Sequence, residues 1–222
     1  MIAPDMTGEP TLKLAKSATV TPPRVVSVAE CRGFLEFCGL SPTVTERCSA
    51  LFMFELYCGA RLPNLPWDPA KIVAEVRSLE GVGRPVGTKP AEQFERPPLQ
   101  ELWKKHYLVG GMHSMAENIR LGLGRRQRKL REIIEEKYNP ATAHLSSETI
   151  AKNVADAITS TYIERWRGQC LTGEWIVYAR HEGQNHYLCL ATHNEDEVEI
   201  LERIKRGCVD EFPFLRSQLK FD

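Results

Sequence analysis

At 222 residues, 42% of them hydrophobic and 26% charged, the chain carries enough apolar content for one large domain or two small ones around a buried core. Its 29 lysines and arginines balance its 29 aspartates and glutamates, so the molecule as a whole exerts no net pull on nucleic acid or an anionic membrane, and any such attraction must be local. The seven cysteines are odd in number, stand among apolar neighbours and form no CxxC pair, which speaks against a disulfide scaffold and for free, mostly buried thiols in a reducing cytoplasm.

No run of 18 apolar residues is present, and the first ten residues lack the charged-then-apolar order of a secretory signal, so a cytoplasmic protein without membrane contact is expected. Residues 1–24 mix Pro, Thr, Gly, Ser and Lys without periodicity and read as a flexible N-terminal arm. A helical subdomain follows over 25–80. Its first helix sets Val28, Cys31, Phe34, Leu35 and Cys38 at helical spacing. Ser41-Pro42 has the form of a cap with a first-turn proline, and opens a second helix carrying Leu51, Phe52, Phe54, Leu56 and Tyr57. Glu55 is the exception to its apolar last turns, so burial is expected. Asp68-Pro69 opens a third helix through Ile72, Val73, Val76 and Leu79. Residues 81–98, with three glycines and four prolines, predict a linker or long loop before a domain spanning 99–222.

In that domain a helix is predicted from Leu99, broken at the paired Gly110-Gly111 and resuming over 113–137. Ser146 caps a further helix with Ile150, Val154, Ile158, Tyr162 and Trp166 in one stripe. Residues 174–181 and 185–193, rich in Trp, Ile, Val, Tyr and Leu, form an antiparallel hairpin, and a last helix covers 195–206. The expected fold class is α+β, helical over the N-terminal two-thirds with a C-terminal β-hairpin followed by a helix. In outline that ending resembles the small α+β folds of bacterial ribonuclease toxins, with no motif in common.

Five of the six histidines fall within 103–113 and 173–193. A three-residue turn over 182–184 sets His181 opposite Asn185, Val177 opposite Cys189 and Trp175 opposite Ala191, which places Tyr178, Arg180 and His186 together on the other face. Both faces carry apolar residues, so helices should cover both and leave the polar tip in water. A guanidinium, a phenol and an imidazole side by side fit phosphate recognition and proton transfer, with His181 or His186 as the transferring group. A hairpin tip is also polar simply because it is wet. His113 and Glu117, four apart on a helix, have the spacing of a carboxylate-oriented imidazole and equally of a surface hydrogen bond. Arg120, Arg125, Arg126, Arg128, Lys129 and Arg131 form a basic helix able to neutralise phosphates; the competing reading is a solvated face with Arg128–Glu132 and Arg131–Glu135 pairs.

His181-Glu182 does not open an HExxH motif, because Asn185 occupies the second histidine's place and His186 comes one residue late. Neither GxSxG nor GxxxxGK[ST] occurs, and Gly122-Leu123-Gly124 lacks a preceding strand, so no cofactor is implied. These observations lead to an expected action on RNA or another polyanion, as a metal-independent ribonuclease using the hairpin. One alternative is a noncatalytic module that binds a partner protein through its N-terminal helices. Another is a metal-dependent hydrolase built from His106, His113, His181 and His193.

Overall fold

The computed structural model describes residues 2–4, 10–13, 25–62, 67–109, 111–124, 128–138 and 145–220. Strands β1 (Ile2–Pro4), β2 (Pro10–Lys13) and β3 (Val25–Ser27) pair antiparallel in that order, with Ile2 opposite Leu12 and Thr11 opposite Ser27. Two stretches of the expected arm are thus paired strands; its remaining residues lie outside those described.

Ser27 ends β3 and caps α1 (Val28–Phe37), its hydroxyl accepting the Glu30 N–H at 3.1 Å. The second predicted helix is two, α2 (Pro42–Thr45) and α3 (Ala50–Arg61). The residues between them pair with a strand instead, and Ser49 begins the next helix by accepting the Phe52 N–H. Helix α3 is buried as expected, Glu55 included. Asp68 caps α4 (Pro69–Leu79), which buries Ile72, Val73 and Val76.

The main sheet has the order β4-β5-β6-β7, all antiparallel, from β4 (Glu92–Gln93), β5 (Trp103–Tyr107), β6 (Glu174–His181) and β7 (Gln184–Ala191). Strand β5 corrects the helix predicted from Leu99. Its alternation sends Trp103, Lys105 and Tyr107 to one face, and the buried Lys105 ammonium is satisfied there by Thr88 Oγ1 at 2.7 Å, the Lys89 carbonyl at 2.6 Å and Glu75 at 3.3 Å. Residues 81–98 lie against this body, with Thr88 and Phe94 buried.

The fold is α+β in three layers. One sheet face packs Ile176, Tyr178, Tyr187 and Leu190 against α1, α3 and α4. The other packs Val177, Ala179, Cys189 and Ala191 against α8 (Glu197–Cys208) and α9 (Phe214–Gln218), so both faces are covered, as the two-sided apolar pattern requires. Between the neighbouring strands β5 and β6 the chain makes α5 (Gly111–Gly122), α6 (Arg128–Lys137) and α7 (Ser147–Arg167). The single helix expected over 113–137 is broken, with Gly124 in the left-handed region at φ +76°. Among the described residues no helix is long and apolar enough to cross a membrane.

The hairpin departs from its predicted register at the tip. Glu182 and Gly183 alone form the turn, both with positive φ (49° and 76°), which suits the right-handed twist of the flanking strands. From there Arg180 faces Asn185, Ala179 faces His186 and Tyr178 faces Tyr187; beyond a bulge, Val177 faces Cys189 and Trp175 faces Ala191 as expected. Leu188 is the extra residue. Its carbonyl accepts the Ser49 hydroxyl at 2.6 Å, while residues 47–49 cover the β7 edge, the Tyr187 N–H donating to the Arg47 carbonyl and the Ser49 N–H to the Tyr187 carbonyl.

Candidate functional site

The bulge divides the residues proposed for phosphodiester chemistry. His186 shares a face with Ala179 and His181, while Tyr178, Arg180 and Asn185 lie on the opposite face. Tyr178 is fully buried, and the exposed Arg180 lays its guanidinium 3.7 Å from the Trp103 ring centroid. This corrects the predicted trio: one inserted residue reverses every side chain on the tip side of it.

His181 and His186 do meet, with ring centroids 6.1 Å apart, but they meet inside an aromatic cluster. His181 stacks on Phe214 at 4.1 Å with the rings parallel, and His186 stands edge-on to Phe212 and Phe214 at 5.1 and 4.9 Å. Burial depresses the His186 pKa, favouring the neutral ring that such packing needs. The cluster fastens α9 to the hairpin. On the opposite side the tip is tied by Glu80, which takes Arg47 at 2.5 Å, the Tyr187 hydroxyl at 2.6 Å and the Asn185 amide at 3.2 Å. Burial alone raises the Glu80 pKa, but those hydrogen bonds outweigh it and hold the carboxyl low.

The second histidine group assembles at the other end of the sheet. His106 on β5 faces Trp175, and its ring lies 5.3 Å from that of His193, just past β7; His193 in turn lies 4.6 Å from Trp175. Glu174 Oε2 accepts the His193 backbone N–H at 2.6 Å and lies 3.3 Å from its Nδ1. The carboxylate engages Nδ1 of an imidazole that is 43% exposed. Burial would raise the Glu174 pKa, but its bonds from His193 prevail and lower it. His106 is buried, donates Nδ1–H to the Gly173 carbonyl at 2.7 Å and has its pKa pushed down to about 4 by desolvation. The two histidine pairs occupy opposite ends of β6, roughly 20 Å apart at the usual rise of a strand. No group of three or more His, Cys, Asp or Glu among the described residues could hold a metal ion.

From sequence, His106 and His193 stood only as metal ligands, and Glu174 was not among the candidate site residues. The register Trp175 opposite Ala191 held the signal, since continuing it by two residues brings His193 beside the start of β6. The side chain of His113 lies outside the described residues, and Glu117 makes a two-pronged pair with Arg120 at 2.6 and 2.8 Å. Of the basic segment, Arg125 and Arg126 also lie outside. Arg128 is 3.6 Å from Glu132 and Lys129 is 2.5 Å from Glu164, so acids on the same surface offset these cations; Arg131 is exposed without an ion pair among the described residues. Comparison of the chain with family models, with curated proteins and with solved structures finds no match.

Proposed function

We propose that the protein is a noncatalytic interaction module whose three-layer body presents the α5–α7 segment to a protein partner. One observation carries this reading. Strands β5 and β6 are adjacent and antiparallel, so a tight turn would join them, yet residues 108–173 intervene. The described part of that insertion bears seven of the eleven large apolar side chains that the described residues leave exposed, among them Met112 at 83%, Tyr138, Ile163 and Trp166. Apolar surface left in water forgoes about 25 cal/mol per Å², and its concentration on an element the sheet does not need supports reading that element as a binding surface.

The element proposed here is not the N-terminal helices of the alternative drawn from sequence. The N-terminal helices spend their apolar faces on the sheet, with Phe37 at 89% exposure the main exception. The test is capture by the immobilised full-length chain, compared across variants and washed at high salt. A partner that survives the salt wash and is lost with Met112→Asp and Ile163→Asp but kept with His181→Ala supports the module. Capture that needs RNA, or that ignores both aspartate variants, overturns it.

A second reading, metal-independent RNA cleavage, draws on the Glu174–His193 pair with the neutral His106 beside it. It expects cleavage in EDTA that His193→Asn abolishes and His186→Ala spares. Absence of turnover removes it.

A further inference from the structure

We infer that the surface of α6 pairs with a second copy of this chain, the two α6 helices running antiparallel about a two-fold axis; this deepens the module reading and rests on it. Ile133 turns α6 inward and is buried. Leu130, Ile134 and Tyr138 recur at four-residue spacing on another face, where Ile134 is 43% and Tyr138 67% exposed. A ridge of this kind is half of a helix–helix contact.

The charges of α6 identify its mate. They run from Arg128, Lys129 and Arg131 to Glu132, Glu135 and Glu136, with Lys137 alone breaking the order at the last residue, where it is already held by Glu136. For an isolated helix this order is reversed, because the positive end of the macrodipole favours acids at the N-terminus and the negative end favours bases at the C-terminus. An antiparallel copy removes the conflict by laying the acidic half of each helix along the basic half of the other. Arg131 and Glu135 lie on one flank of the apolar ridge, both exposed and without an ion pair among the described residues, whereas Arg128 and Lys129 already have partners. A two-fold axis near Ile133 and Ile134 sets Arg131 of one copy against Glu135 of the other, twice over, and brings the two Ile134 side chains together. One pair of three-turn helices falls at the small end of protein interfaces, so the expected dissociation constant is on the order of tens of micromolar.

Analytical ultracentrifugation of the full-length chain from about 1 to 500 µM tests this, with thermal melts of each variant alongside. The wild type should show a reversible monomer–dimer equilibrium, and Ile134→Asp should abolish it. Arg131→Glu and Glu135→Arg should each weaken it at least tenfold by opposing like charges, while the double variant recovers to within about threefold. A chain that stays monomeric throughout, or a dimer indifferent to both single reversals, overturns the proposal. Either result leaves the module reading standing if capture still depends on Met112 and Ile163, so the two failures are separable.

Discussion

Two buried titratable groups should act on stability with opposite sign over the same pH range. The Glu55 carboxyl, on α3, accepts the Leu190 N–H at 2.6 Å and meets Arg203 at 3.1 Å, a guanidinium it shares with Glu195 at 2.9 Å. Burial pushes its pKa up from 4.5 to about 7 against the pull of Arg203 and the Leu190 amide. Its contribution is complete below pH 4.5 and is lost as the pH rises through 7, because the folded state holds the proton that the unfolded state releases. His106 behaves in reverse. With its pKa lowered from 6.5 to about 4, its contribution is complete above pH 6.5 and is lost as the pH falls through 4. Either displacement is worth at most roughly 3 kcal/mol, so between pH 4.5 and 6.5 the two slopes largely cancel. His186 acts on the His106 side, Glu75 and Glu211, whose carboxyls burial pushes up, act on the Glu55 side, and the lowered carboxyls of Glu80 and Glu174 act only in more acid solution. Urea unfolding at pH 4.5, 5.5, 6.5 and 7.5 should therefore give a shallow profile for the wild type. Glu55→Gln should turn it into a rise with pH and His106→Gln into a fall, each by about 1 kcal/mol per pH unit. Profiles of both variants that run parallel to the wild type would refute the assignment of opposed buried titrations.

Two further changes test the backbone. Glu182 occupies a left-handed position at φ 49°, so Glu182→Asn should stabilise the hairpin by about 0.5 kcal/mol, whereas Gly183→Ala at φ 76° should cost about 1 kcal/mol. Thermal melts of opposite sign are expected, and a loss of stability with asparagine would count against the two-residue turn. A Cβ at Gly173 would lie 1.9 Å from the Tyr107 carbonyl oxygen, which is sheet backbone and cannot yield. Gly173→Ala should destabilise by about 3 kcal/mol or more, and a urea midpoint near the wild-type value would contradict the close approach of residue 173 to β5.

What could be read from sequence follows the range of the interactions responsible. Caps such as Asp68 before Pro69 and Ser146 before α7 are contacts within one helical turn, and both place their helices correctly. The two-sided apolar pattern of β6 and β7 likewise announced its covering helices, because burial on both faces is written into consecutive residues. Strand β5 was not legible: two lysines lie within its five residues, and Lys105 is tolerated in the interior through Glu75, Thr88 and the Lys89 carbonyl, all well upstream in sequence. Missing that strand hid the meeting of His106 with His193. The bulge at Leu188 is of the same kind, since the hydroxyl that takes its carbonyl belongs to Ser49. A pattern of period two fixes which residues alternate, but a single extra residue shifts the phase, and the contact that accommodates it comes from another part of the fold. The reassignment of His186 away from Tyr178 and Arg180 is thus a consequence of tertiary structure acting on one carbonyl, and it is why the predicted phosphate-binding trio dissolves while the hairpin that was to carry it survives.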